Sequence, residues 1–145
     1  MTTAQDCIQN KPKTIYSVCS SDTIEKALVL MRDNRVRAIL VVDNDRLVGI
    51  VSQGDCAIKV LLPKKDPQAT PVSEVMTANP LTVTPRNTLD ECMAIMVHKH
   101  IRHLPVVENN TVKGVISIGD LVKNIIEVQG SHIKFLETYI KGHGS

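Results

Sequence analysis

Displaced by 65 places, the chain matches itself: Thr23 to Asp55 lies on Thr88 to Asp120 without a gap. Thr23, Met31, Arg37, Val41, Val42, Asn44, Gly49, Ser52, Gly54 and Asp55 recur as Thr88, Met96, Arg102, Val106, Val107, Asn109, Gly114, Ser117, Gly119 and Asp120, ten identities in 33 columns. Many of the other columns exchange one apolar residue for another. A solenoid stacks three or more short units, so a long period present twice points elsewhere. It points to two lobes related by a pseudo-twofold axis.

Each copy reads β-α-β-β-α, an α/β (α+β) pattern. Asp22 and Asn87 are candidate N-caps for helices over Thr23–Asn34 and Thr88–Lys99. Ile24, Ala27, Leu28 and Met31, like Leu89, Cys92, Met93 and Met96, recur at three and four, which makes one buried stripe per helix. Ala38–Val42 and Leu104–Val107 are β-branched runs bounded by polar clusters and read as buried strands. Turns at residues 43–46 and 108–111 lead into Leu47–Val51 and Val112–Ile116, so each pair reads as a hairpin. Helical stretches Cys56–Leu62 and Leu121–Glu127 follow, and short strands Thr14–Val18 and Leu81–Thr84 precede the units. The reading gives a first repeat with its lead-in over 1–62, a Pro-rich exposed connector over 63–71, a second repeat over 72–127 and a helical tail over 128–145. Val72–Met76 is expected to lead into the second lobe as Ala4–Ile8 leads into the first. Ile133, Leu136 and Ile140 give the tail its helical spacing.

Composition narrows the function classes. With 17 Lys+Arg against 15 Asp+Glu, the chain offers no broad basic field, so nucleic acid is not an expected partner. Its longest apolar run, Ala38–Val42, is far short of the ~20 residues that a membrane helix needs, and its start lacks the pattern of a signal peptide. Cys7, Cys19, Cys56 and Cys92 form no Cys-x-x-Cys pair and read as small hydrophobes in a reducing, cytoplasmic setting.

The segments Gly49-Ile50-Val51-Ser52-Gln53-Gly54-Asp55 and Gly114-Val115-Ile116-Ser117-Ile118-Gly119-Asp120, with Val72-Ser73-Glu74-Val75-Met76-Thr77 and Ile101-Arg102-His103-Leu104-Pro105-Val106-Val107, resemble those of a tandem pair of CBS domains, the Bateman module. The resemblance runs from about Ala4 to Glu127 and extends to short stand-alone bacterial CBS-pair proteins. It implies a homodimeric regulatory protein rather than an enzyme. Such a module binds AMP, ADP, ATP or NAD in clefts between its lobes and acts on a partner protein. The first copy has Ala38 and Leu40 where the second has His103 and Pro105, so the two clefts are not lined alike.

Two readings stand on Ser52-x-x-Asp55 and Ser117-x-x-Asp120. As capping boxes, Ser caps a helix and Asp reaches back to the free amide. As ligand groups, an ionised Asp accepts from ribose hydroxyls while Ser and the helix amides donate to phosphate. Gly54 and Gly119 would leave bare backbone open to a ligand. Arg37 and Arg102 share a column before the buried strand, and their forked donors suit phosphate, with His103 beside the second. The resemblance further implies Ile15, Tyr16 and Leu81 as adenine neighbours.

His98, His100 and His103 cross from a helix end into a strand, where their rings diverge, so no metal is expected. No Gly-x-Ser-x-Gly elbow, Gly-x-Gly-x-x-Gly fingerprint or phosphate-loop motif occurs. The competing reading is a ligand-independent dimeric scaffold in which the Asp residues only cap helices.

Overall fold

The computed structural model describes residues 2–9, 11 and 14–128; the expected helical tail lies outside these apart from its first residue. In chain order it contains α1 (Ala4–Gln9), β1 (Ser17–Val18), α2 (Ile24–Asn34), β2 (Ala38–Asp43), β3 (Arg46–Ser52) and α3 (Gln53–Cys56). A π-helical segment (Ala57–Leu61), a 3-10 turn (Val72–Glu74), β4 (Thr77–Ala78), α4 (Leu89–Lys99), β5 (His103–Glu108), β6 (Thr111–Ser117) and α5 (Ile118–Val128) complete it. One sheet runs β1-β2-β3-β4 and the other is the β5-β6 hairpin.

The two hairpins are built alike. Asn44 and Asp45 hold φ of 51° and 63°, and Asn109 and Asn110 hold 52° and 61°. Two positive φ values in succession make the turn whose twist matches the flanking strands, and Asn and Asp tolerate that region best among residues with a Cβ. Both hairpins carry a register shift at the same column, between Val41 and Val42 and between Val106 and Val107.

The helix caps fall one residue later than the sequence reading placed them. Thr23 Oγ1 accepts the Lys26 amide (3.2 Å) and Thr88 Oγ1 accepts the Glu91 amide (3.1 Å). Asp22 and Asn87 instead turn back, accepting the amides of Cys19 and Thr84 at 2.7 Å each. They fix the loop before the helix.

Of the two expected leading strands, only Ser17–Val18 forms a strand, while Leu81–Thr84 reduces to a single bridge between Val83 and Val106. The cause is Pro105. Leu40 donates its amide to the Tyr16 carbonyl (3.4 Å), whereas proline in the equivalent column has no N–H to offer Leu81.

The lead-ins correct the expected organisation, because each packs on the opposite lobe. Val72 and Val75 join Ile24, Met31, Ile39, Val41 and Val51 in the first core. Ala4 and Cys7 join Leu89, Met96, Leu104, Val106 and Ile116 in the second. The main-chain bonds match too: the Val72 amide donates to Asp22 O and the Ala4 amide to Asn87 O, both at 2.7 Å. The shared column Gly49/Gly114 serves this exchange. A Cβ on Gly49 would meet Met76 Sδ at 2.5 Å and the Thr77 carbonyl at 3.0 Å, and one on Gly114 would meet Ile8 Cγ2 at 3.0 Å. The connector is exposed over residues 63–66, but its end is fastened to α2: Thr70 is buried and its carbonyl accepts the Ile24 amide at 3.0 Å.

Candidate functional site

Both Ser-x-x-Asp segments form complete capping boxes. At α3, the Ser52 amide donates to Asp55 Oδ2 (3.0 Å) and the Asp55 amide to Ser52 Oγ (3.1 Å). At α5, the Ser117 amide donates to Asp120 Oδ2 (2.8 Å) and the Asp120 amide to Ser117 Oγ (3.1 Å). A Cβ placed on Gly54 or Gly119 would touch only its own box's Ser Oγ, at 3.7 and 3.6 Å, so the first turn of each helix is uncrowded.

A cavity of about 1000 Å³ opens between the lobes. The second repeat contributes His103, Ser117 and Asp120 to it, and the first contributes Ile15, Tyr16, Arg37 and Ala38. Six of the residues singled out in the sequence therefore share one cavity: Ile15, Tyr16, Arg37, His103, Ser117 and Asp120. The other four, Ser52, Asp55, Arg102 and Leu81, do not line it. They occupy the repeat-equivalent columns of Ser117, Asp120, Arg37 and Tyr16.

Charge in this cavity is lopsided. Among the described residues, Lys11, Arg35, Arg37 and Lys113 line it against the single carboxylate of Asp120. Of these cations the sequence reading found only Arg37. The signal for the rest lay where the copies disagree: Lys113 stands opposite Val48, and Lys11 sits where the first lead-in is about three residues longer.

Lys11 Nζ donates to Asp120 Oδ2 at 2.7 Å and to the Val115 carbonyl at 2.8 Å. Burial opposes the charge on Asp120, but the Lys11 ammonium and the Ser117 amide outweigh it and hold the carboxyl below its usual range. The counterpart is looser: Lys59 Nζ lies 3.9 Å from Asp55 Oδ1 and donates to the Val75 carbonyl at 3.1 Å.

His103 is shifted the other way. Burial lowers its pKa, and the charges of Lys11, Arg102 and Arg37 add to that against the pull of Asp120, so the ring is neutral at pH 7. A neutral ring can either donate or accept a hydrogen bond. His98 and His100 are exposed at the end of α4, apart from this half-buried ring. Among the described residues no group of three or more His, Cys, Asp or Glu side chains is arranged to hold a metal ion. Cys7, Cys56 and Cys92 are buried and Cys19 is exposed. Burial pushes the thiols of Cys7 and Cys56 up to about 11, and that of Cys92 upward as well, so all three are protonated at neutral pH.

Among the described residues no helix is long and apolar enough to cross a membrane. The CBS domain model matches residues 12–61 and again 72–127. The chain is 44% identical to a structure of a protein with CBS domains from Burkholderia ambifaria MC40-6, with a TM-score of 0.85, covering 88% of this chain and 96% of that one. It is 34% identical to the CBS domain-containing protein YhcV of Bacillus subtilis (strain 168), over 76% of this chain and 78% of that protein. A hexameric CBS-CP12 protein from bloom-forming cyanobacteria shares 25% identity at a TM-score of 0.77, over 84% of this chain and 70% of that one. Two family matches, an exchanged pair of lead-ins and a duplicated β-α-β-β-α unit place this chain in the CBS-domain family, as a tandem CBS pair.

Proposed function

We propose that this chain is a regulatory sensor that binds an adenine nucleotide, AMP, ADP, ATP or NAD, in the cavity between its lobes and passes the occupancy to a partner protein. The observation that carries the reading is the cavity lining, which among the described residues divides into four cations, one ionised carboxylate and apolar side chains that include Ile15, Tyr16 and Leu40. A nucleotide matches that division, with anionic phosphates, a ribose diol and a flat base. In this reading Asp120 holds ribose, Arg37, Ser117 and His103 hold phosphate, and Ile15 and Tyr16 flank adenine. Asp55, Ser52, Arg102 and Leu81 are the corresponding groups of a second cleft. Each charge-assisted hydrogen bond contributes about 1.5–3 kcal/mol, so two or three supply much of the ~8 kcal/mol of micromolar binding. The protein acts as an oligomer, a homodimer as its smallest form, a reading supported by the hexameric assembly of the cyanobacterial relative. It works in the cytoplasm and regulates rather than catalyses, in keeping with the name of the Burkholderia relative as a signal-transduction protein.

Titration calorimetry with AMP, ATP and NAD is the test. Binding with a matching rise in melting temperature is expected, and ligand at about 100 times Kd adds ~2.7 kcal/mol of stability. No heat and no thermal shift with all three at millimolar concentration would remove the sensing function.

One observation favours a second reading. Both Asp residues already cap helices, and Ile58, Leu61 and Leu62 stand 64%, 75% and 72% exposed. A ligand-independent scaffold would bind its partner through such a face, and would keep that binding in the double variant Asp55→Ala, Asp120→Ala.

A further inference from the structure

The cavity carries a built-in substitute for part of a ligand, and resting on the nucleotide reading above, we propose that Lys11 makes the Asp120 cleft selective for phosphorylated nucleosides over bare ones. In the structure the Lys11 ammonium covers the carboxylate that a ribose needs, donating to Asp120 Oδ2 at 2.7 Å while the Val115 carbonyl accepts a second hydrogen bond at 2.8 Å. The pair is partly shielded, with side-chain exposures of 36% and 21%. A bare nucleoside competes with that ammonium for Asp120 and offers nothing in return. The displaced ammonium would be left among Arg35, Arg37 and Lys113, which also line the cavity. Like charges at close quarters oppose that outcome.

A nucleotide changes the exchange. Its phosphate brings an anion into the same cavity, and a lysine is a compact charge on a four-carbon stem that swings from one oxygen to another. Lys11 then leaves Asp120 for phosphate as ribose takes its place, so the ammonium is never stranded. The device belongs to one cleft. Among the described residues no lysine is within hydrogen-bond distance of Asp55; Lys59, one helical turn away, stops at 3.9 Å.

The test is titration calorimetry of the full chain and of Lys11→Met with adenosine, AMP and ATP. The Met side chain keeps the stem and removes the charge. The wild type should prefer AMP to adenosine by at least about tenfold, the scale of one charge-assisted hydrogen bond. In Lys11→Met, adenosine should bind more tightly and AMP more weakly, so that the ratio between them falls about tenfold or more. A wild-type ratio near one overturns the proposal without any variant, and so does a ratio that Lys11→Met leaves unchanged; in both cases nucleotide sensing stands. If none of the three compounds binds the wild type, the nucleotide reading fails and this inference falls with it.

Discussion

At the first turn of α3 and of α5 the same four-residue box closes with nearly the same distances, yet the two carboxylates live in different fields. Asp120 accepts a hydrogen bond from the ammonium of Lys11, 109 positions away in the chain, and shares a half-buried space with His103. Asp55 has Lys59 four positions on, at 3.9 Å, and Ala38 in the column of that histidine. The repeat copies backbone geometry faithfully because caps and turns are local. The electrostatic setting is not copied, because it is assembled from the lead-in and from columns where the copies diverge. Duplicated sites of this kind share a shape and differ in chemistry.

The largest effect is expected where the lobes exchange their lead-ins. Ala4 is fully buried in the second core, and Ala4→Asp puts an unpaired carboxylate there. A cost of ~4 kcal/mol or more is expected, in the range reserved for buried, unpaired charge. Val72→Asp is the mirror experiment, since Val72 is fully buried in the first core. Urea titration gives the total loss and amide hydrogen exchange assigns it to a lobe. Ala4→Asp should strip protection from β5 and β6 first, and Val72→Asp from β2 and β3. Loss confined to the lobe that contains the substitution in sequence would contradict the exchange.

A smaller effect separates the two boxes. In the nucleotide reading, Asp120→Ala removes a charged acceptor from the cavity and should weaken AMP binding there by about 10–100-fold. Asp55→Ala should leave that cavity's affinity within about threefold, since its side chain is not part of the lining. Each variant also loses a helix cap, which costs ~1 kcal/mol of stability and acts as an internal control for folding. Equal loss of affinity in both variants would mean that the clefts are coupled or that the boxes act only through stability.

Much of this was readable from residue order. The repeat, the hairpins and the buried stripes of α2 and α4 depend on periodicity and on Asn/Asp turn chemistry, which act over a few residues. Gly49 and Gly114 were visible as a shared column, but their reason was not, because Met76 and Ile8 reach them from the opposite lobe's partner segment. The shortened second leading strand was also encoded, in Pro105, although the consequence needs the pairing register to be known. Within the site, Arg37, Ser117 and Asp120 were found in columns that the two copies share, and Lys11, Arg35 and Lys113 were missed. Column matching rewards agreement, and these cations are informative because they disagree.

The finest distinction between the clefts is their response to pH, and it rests on His103. In the unfolded chain its imidazole titrates near 6.5; in the folded chain the pKa lies lower. Below 6.5 the unfolded state therefore binds more protons, so stability is full above that pH and declines as pH falls through it, by at most ~1.4 kcal/mol per pH unit. Asp120 does not confuse this window: its carboxyl is held below the ordinary 3.8, so the stability it contributes is lost only as pH drops beneath that value. Urea midpoints of the wild type and His103→Gln at about pH 7.5 and about pH 5.5 should show a shallower loss in the variant. Saturating AMP should also shrink the wild-type loss, since a phosphate beside the ring favours its protonated form and offsets Lys11, Arg37 and Arg102. Ala38 has nothing to titrate, so the pH response belongs to one cleft alone. An unchanged slope in His103→Gln would assign the titration to another group and leave the two clefts distinguished by Lys11 only.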